Sequence, residues 1–521
     1  MIDGRAQRTV PDQPADLERF RLRTFVEALR AADELEVHVE PVDLVDLGRY
    51  LDGNPKAVLF ERVGPEGAAV VGNVMGSRRR FALALGVAEQ AILPTLVERL
   101  RQPIAPREVP SAASPVHEVV LTGDDADLTR LPVHLQHGRD GGPYISATLD
   151  FAVDPAHGWT NVGCRRLMLR GRRECGVDLN APGDLRALYL AAQREGRPLP
   201  VAFAIGSHPL DYLGAVCLTR PMDELALLGA LRGEPLPVTR GVTVDVPVPA
   251  DAELVLEGYV DARGFVEREG PYGEFLGYYG GTKLNPVFHL TAITARRDAL
   301  FQTVTIGGRA LAHTDTAQLC ALRTEASVWA ALEGAIREPV AVYVTPASGG
   351  NFNVRVAIRQ RYPGEARNAI AAVLANIADA KHVFVVDDDV DVFDDAQLDW
   401  ALATRFQADR DLLVGTGFRA VPLDPSLDGG RTGAKAGFDL TLPFGADREL
   451  EYGVPEPPAL SPLRGGARTV EQALRAGPCT FAALMEATGS RDGREIVVQL
   501  EALRAAGTLE HRADGRYAWK D

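Results

Sequence analysis

Cysteine is scarce in this chain, five residues in 521 (Cys164, Cys175, Cys217, Cys320 and Cys479), and no two form a Cys-x-x-Cys pair. Disulfide frameworks and zinc knuckles need closely spaced cysteines, so neither is expected, and scattered thiols fit a reducing compartment. Long hydrophobic runs are missing too. Nothing reaches the roughly 18 uninterrupted apolar residues of a membrane span, and the opening MIDGRAQRTVPDQPADLERF lacks the apolar stretch of a secretion signal. The expectation is a soluble, cytoplasmic protein. Positive charge is in deficit: 56 Lys and Arg against 71 Asp and Glu leave a formal net charge of −15. Broad binding to nucleic acid or to an anionic membrane needs the opposite sign, whereas a small anionic ligand needs only a few local donors. Gly-x-Ser-x-Gly, His-Glu-x-x-His and Gly-x-Gly-x-x-Gly signatures are all absent, so serine hydrolase, zinc protease and dinucleotide-binding chemistries drop out.

What is present is ordinary globular composition, 46% hydrophobic and 24% charged, in a length that suits three or four domains. Residues 1–16 are a polar arm, and Asp16 is placed to cap a helix in which Leu22, Phe25, Val26 and Leu29 recur at helical spacing. AVLF (57–60) and AAVV (68–71) flank Gly64-Pro65-Glu66-Gly67 as a hairpin, and 80–100 reads as one helix. The region 1–114 is therefore α/β. Over 115–300 strand signals dominate (116–121, 144–153, 252–260, 287–294), with helical insertions at 184–195 and 223–232, the pattern of a β-barrel or sandwich. A second α/β domain follows over 301–454, with strands at 340–344, 353–358 and 382–387 and helices at 365–379 and 396–405. PEPPALSP (455–462) is a linker. Beyond it, 465–521 has three short helical patterns and a hairpin turning at Asp514-Gly515, in the order of a winged helix. From Gly465 onward eight Arg and Lys balance eight Asp and Glu, so this module lacks the basic footprint of a DNA reader and reads as an oligomer or lid element.

The densest chemistry lies in Glu267-Arg268-Glu269-Gly270-Pro271-Tyr272-Gly273-Glu274-Phe275. Two carboxylates flank a Gly-Pro-aromatic-Gly turn whose glycines permit a tight path bringing both acids to one site. Paired carboxylates beside a cation hold one acid protonated and the other ionised; the plain alternative is a solvated hairpin loop. In Gly158–Arg166, Asn161 offers a carbonyl oxygen and Arg166 a fork of donors for a carboxylate or phosphate. Asp184 fits a helix N-cap and Glu224 the first turn of another helix, yet both are also hard oxygen donors for a cation. Asp387–Asp391 resembles a calcium loop only in composition and reads as the end of a parallel strand. Gly429–Lys435 is glycine-rich and basic without being a Walker loop, and would cradle a phosphate through backbone N–H groups and Lys435.

Together these segments resemble the UbiD family of (de)carboxylases, which depend on prenylated FMN. The likeness rests on dispersed motifs in one order over about residues 17–445. They are Asp140-Gly141-Gly142-Pro143-Tyr144-Ile145; Asn161 followed five residues later by Arg166; DELALLGALRG (223–233) with Glu224; EGPYGEF (269–275); VVDDDVDVFD (385–394); WALATR (400–405); and LDPS to KAGFD (423–439). The resemblance implies an N-terminal α/β region, a central split barrel holding the flavin and a C-terminal α/β oligomerisation domain. It makes Arg166, Glu269 and Glu274 the catalytic network. Asn161 and Glu224 fall on positions that hold a divalent metal, usually Mn²⁺ (or Mg²⁺), with K⁺ as a further ion, and Lys435 falls near a phosphate-binding lysine. The third metal ligand of the family is usually a histidine before the inserted helix. Here no histidine occurs between His157 and His208, and Asp184 or Gly183 stands there, which makes Asp184 the candidate third ligand.

The implied reaction is non-oxidative decarboxylation of an aromatic, heteroaromatic or α,β-unsaturated carboxylic acid. The flavin supplies the electron sink, Arg166 orients the substrate carboxylate, and Glu274 protonates the carbon that CO₂ leaves. A flavin prenyltransferase is the implied cofactor supplier, and a homo-oligomer, dimer or hexamer, the implied assembly. Two other readings stand beside it: a carboxylase component running in reverse within a complex, and a non-catalytic flavin-binding or regulatory homologue.

Overall fold

The computed structural model of the protein describes residues 15–217, 222–461 and 468–520. Residues 1–441 form one compact unit and 442–521 another.

The first unit opens with helix α1 (Leu22–Ala31), whose Leu22, Phe25, Val26 and Leu29 are all buried. Each such side chain contributes roughly 1.5–3 kcal/mol by leaving water. Asp16 does not cap this helix. Its carboxylate accepts from the Glu18 and Arg19 N–H groups in a preceding turn, and Arg21 occupies the N-cap position. Arg21 is committed instead to Glu253 at 3.0 Å and Asp298 at 2.7 Å, which fixes the chain's entry into the helix. Strands β1 (Leu35–His38), β2 (Ala57–Val63) and β3 (Ala68–Gly72) follow, β2 and β3 being the expected hairpin. The helix expected over 80–100 is two helices, α2 (Arg78–Leu85) and α3 (Ile92–Leu100). Gly86, left-handed at φ 71°, ends the first by a glycine cap that a side chain would strain.

The centre is a closed antiparallel barrel. Its strands are β4 (Val119–Thr122), β5 (Tyr144–Val153), β6 (Thr160–Leu169), β7 (Glu174–Val177), helix α4 (Asp184–Arg194), β8 (Leu199–Ile205), helices α5 (Pro209–Val216) and α6 (Leu225–Arg232), then β9 (Leu254–Val260). Short strands β10 (Glu267–Glu269), β11 (Tyr272–Gly273), β12 (Tyr279–Gly280) and β13 (Lys283–Asn285) lead into β14 (Val287–Ala295). The hydrogen-bonded order is β9-β8-β5-β6-β7-β14, closed by β9 with β14, while β4 extends β14. Composition missed β6 and β8. β6 carries asparagine, glycine and two arginines with no clean alternation, and β8 is an apolar run indistinguishable from a buried helix segment. Opposite Arg166 the β5 register slips, so that Ser146 and Ala147 together face that one residue. Such a bulge bends the strand and re-aims a side chain. β15 (Phe301–Thr303) then pairs with β3, giving the N-terminal sheet the order β1-β2-β3-β15.

The C-terminal part of this unit packs α7 (Asp315–Glu333) and α8 (Glu365–Asn376) on a five-stranded sheet. Its strands are β16 (Pro339–Val344), β17 (Asn353–Ile358), β18 (His382–Asp387), β19 (Leu412–Arg419) and β20 (Thr432–Asp439), with α9 (Asp395–Arg405) between β18 and β19. The order is β16-β17-β18-β20-β19, parallel through β17, β18 and β20. Asp387 does end a parallel strand. Gly429–Lys435, by contrast, runs into a strand from Thr432 rather than forming a nest.

The second unit holds α10 (Val470–Ala476), α11 (Phe481–Thr488), α12 (Gly493–Ala505) and the hairpin β21 (Leu509–His511) with β22 (Tyr517–Trp519), a winged-helix-like order. Val470, Leu474, Leu484, Ile496 and Leu500 make its core, and Thr469 with Gln472 forms a capping box at its first helix. Among the described residues no single helix is long and apolar enough to cross a membrane. The bent pair α2–α3 passes on length and composition alone, with Phe81, Leu85, Ile92, Leu93 and Leu96 buried.

Candidate active site

Arg166 projects from β6 opposite the β5 bulge and gathers three carboxylates. Its Nε donates to Glu269 Oε1 at 3.0 Å and its Nη1 to Glu274 Oε2 at 3.2 Å. Its Nη2 lies 3.0 Å from both Glu274 Oε1 and Asp178 Oδ2. The guanidinium also sits over the Tyr272 ring, 4.5 Å from the centroid, a face favourable to a cation. Burial opposes the charge, but the three carboxylates outweigh it and hold Arg166 firmly cationic. Glu269 and Glu274 are themselves buried, at 1% and 6% exposure, so these pairs act with little solvent screening.

The turn between the two glutamates is pinned from the Asp140-Gly141 segment. Asp140 Oδ1 accepts from the Gly273 N–H at 2.9 Å, and the Gly141 N–H donates to Pro271 O at 2.8 Å. Gly270, at φ 88°, precedes a cis peptide to Pro271, and its N–H donates to the Tyr144 hydroxyl at 3.1 Å. Burial, with the Glu269 carboxylate beside it, pushes the Tyr144 phenol well above its usual range. Tyr272 donates to Gln136. The structure thus brings Arg166, Glu269 and Glu274 together as expected from sequence.

Asp178 and Lys283 were not anticipated. Asp178 directly follows β7, and Lys283 is the cross-strand partner of Glu269. Lys283 Nζ lies 2.9 Å from Asp178 Oδ2 and 3.9 Å from Glu274 Oε1. Arg166 and Lys283 offset the cost of burial and hold Asp178 well below the ordinary carboxylate range. Neither residue stands in a recognisable motif; only the meeting of β7 and β13 reveals them.

Asn161, on the same strand as Arg166 and nearer its start, faces a second cluster. Its amide N–H donates to Asp150 Oδ2 at 3.1 Å, leaving the amide oxygen as the atom available to a cation. Glu224 does not cap its helix. Its Oε2 accepts from the Val162 N–H at 2.5 Å, and the α6 N-terminal turn is held by Asp223 instead. Burial pushes the Glu224 carboxyl up to about 7, with Asp184, Asp150 and Asp223 adding like charge. Asp184 is not the N-cap of α4; Gly183 is, and Asp184 occupies the first helical position, exposed to solvent. Asp150 Oδ1 and Arg165 Nε are buried without a hydrogen-bond partner, paired only loosely at 3.2 Å. No three His, Cys, Asp or Glu side chains among the described residues form a cage by themselves. The donor chemistry suits a hard divalent ion that takes one carboxylate and one amide oxygen from protein and its remaining ligands from phosphate and water.

Lys435 is elsewhere. It lies in β20, buried, donating to the carbonyls of Leu374 at 3.2 Å and Ile377 at 2.8 Å at the end of α8. Positive charge there complements the helix C-terminus.

Three family models match in order: the N-terminal domain of 3-octaprenyl-4-hydroxybenzoate carboxy-lyase over residues 26–100, its Rift-related domain over 107–310 and its C-terminal domain over 317–440. The chain is similar to the UbiD-class enzyme HmfF from Pelotomaculum thermopropionicum, solved in complex with FMN. Identity is 34% and the TM-score 0.79, covering 84% of this chain and 97% of that one. It is 29% identical to the 3,4-dihydroxybenzoic acid decarboxylase AroY of Klebsiella pneumoniae, with TM-score 0.77 and coverage of 85% and 97%. Vanillic acid decarboxylase of Sedimentibacter hydroxybenzoicus, in its open form, matches at 29% identity and TM-score 0.75, covering 88% and 98%.

Proposed function

The chain belongs to the UbiD family and is a carboxy-lyase, and from that premise we propose that it decarboxylates an aromatic or related unsaturated carboxylic acid with prenylated FMN. The observation that carries this reading is Arg166 bridging Glu269 and Glu274 at 3.0–3.2 Å. When bound, the modified flavin supplies the electron sink for loss of CO₂ from an sp² carbon. The chain's own groups do the rest. Arg166 offers a planar fork to the substrate carboxylate. Glu274, protonated, donates its proton to the carbon that has lost CO₂ and is left as a carboxylate to be reprotonated from solvent. Glu269 anchors the Nε edge of Arg166 and so fixes the plane of the fork.

Asn161 and Glu224 are the residues that would hold Mn²⁺ or Mg²⁺ against the cofactor phosphate, with Asp184 as an outer acidic neighbour and K⁺ as an accessory ion. Lys435 would serve the phosphate only on releasing the Leu374 and Ile377 carbonyls. A flavin prenyltransferase supplying the cofactor, a homo-oligomer built on the C-terminal α/β domain, a cytoplasmic site of action and the domain limits 1–114, 115–300, 301–454 and 465–521 complete the reading. The test is Glu274→Gln in protein co-expressed with a flavin prenyltransferase. It should keep the cofactor and lose turnover; full activity in that variant would remove Glu274 as the proton donor.

A further inference from the structure

Two side chains outside the expected catalytic three complete the charge network around Arg166. Asp178 Oδ2 shares the Arg166 Nη2 with Glu274 Oε1, each at 3.0 Å, and so competes with Glu274 for the same positive charge. Lys283 Nζ, 2.9 Å from Asp178 and 3.9 Å from Glu274, works in the opposite sense. Within this cluster two cations, Arg166 and Lys283, meet three carboxylates, Asp178, Glu269 and Glu274. The balance is one negative charge in excess, which a single proton neutralises. Asp178, a full ångström nearer Lys283 than Glu274 is and held low by both cations, is the least favourable place for that proton. A proton entering the cluster would therefore go to the glutamate pair, where Glu269 Oε2 is buried without a hydrogen-bond partner.

Other titratable groups lie around the pair. Tyr144 and Tyr272 are phenols held neutral by burial. Asp140 behind Tyr272 is already engaged by the N–H groups of Gly273 and His137 and by the His137 ring.

We infer that Asp178 and Lys283 are positioning residues that set the pH at which the Glu269–Glu274 pair takes up its proton, Asp178 raising that pH and Lys283 lowering it. The inference rests on Glu274 as the proton donor of the proposed reaction. It follows from sign alone: removing a nearby positive charge favours the protonated carboxyl, and removing a nearby negative charge favours the carboxylate. A fixed charge within about 4–6 Å moves a carboxyl by about 1–3 pH units.

The test uses Lys283→Met, Lys283→Arg, Asp178→Asn and the double variant Asp178→Asn/Lys283→Met, with two readouts. One is the infrared band of the protonated carboxyl, titrated in the protein without cofactor. The other is the pH profile of kcat and of KM in cofactor-loaded protein. Lys283→Met should move the carboxyl titration and the kcat profile to higher pH by about one unit or more. Asp178→Asn should move both to lower pH, the double variant should return near the parent, and Lys283→Arg should leave both in place. Shifts in the same direction in the two single variants, or a fall in kcat at every pH with no shift, would overturn it. The infrared titration separates the two claims. Opposed shifts in protein that turns over no acid would leave the charge balance standing and sink the decarboxylase reading. Turnover with unmoved titrations would do the reverse.

Discussion

Gly141 and Gly270 meet backbone to backbone: a Cβ on Gly141 would lie 2.3 Å from the Gly270 carbonyl oxygen, nearer than any real contact. The two glycines lock the turn carrying Glu269 and Glu274 onto the segment preceding β5. Gly141→Ala should therefore displace that turn, cost about 1–3 kcal/mol of stability as an overpacked site does, and lower turnover by more than its effect on folding. Chemical denaturation beside steady-state kinetics checks this. Parent-like values in both would mean the close approach is not needed.

Arg166 acts through shape as well as charge. Arg166→Lys keeps the positive charge but can satisfy only one of the partners now held by Nε, Nη1 and Nη2. Turnover should fall roughly 100-fold, the order expected when a reacting group loses its orientation. Rescue of much of that loss by free guanidinium would confirm that the fork itself is missing.

The second cluster separates Glu224 from Asp184. Glu224 is half-buried and held by the Val162 N–H, whereas Asp184 is exposed at the start of α4. Mn²⁺ should raise the melting temperature of the cofactor-loaded protein; Glu224→Ala should abolish that rise, and Asp184→Asn should leave most of it. Equal losses in both variants would make Asp184 a direct ligand.

Residues 465–521 contain their own hydrophobic core and none of the candidate site residues. Ending the chain at residue 461 should leave kcat/KM within about twofold, a change of roughly 0.4 kcal/mol in barrier. A tenfold loss would assign the winged-helix-like module a part in the reaction.

Much of this was legible in the sequence because it is carried locally. EGPYGEF encodes a tight turn between two acids, and Asn161 and Arg166 share one strand, so their placement travels with short motifs. Asp178 and Lys283 were hidden because their pairing exists only where β7 and β13 converge across about a hundred residues of chain. Asp16 and Asp184 were misjudged as helix caps for a related reason. Capping propensity is real, but at Asp16 the Arg21 ion pairs fix the helix start, and before α4 the extended Gly183 supplies the cap position. The helix over 80–100 failed at Gly86, where a single left-handed glycine outweighed an otherwise continuous apolar pattern. Lys435 was drawn toward a phosphate by its glycine-rich neighbours, yet those residues enter a strand on which α8 packs. A Cβ on Gly437 would lie 2.1 Å from Ile370.

The measurement that bears most directly on the central claim is mass spectrometry of the small molecule released from the protein after co-expression with a flavin prenyltransferase. Prenylated FMN, lost in Glu224→Ala and retained in Glu274→Gln, is the predicted result. Protein that emerges empty, or holding only unmodified FMN, would contradict a prenylated-flavin carboxy-lyase.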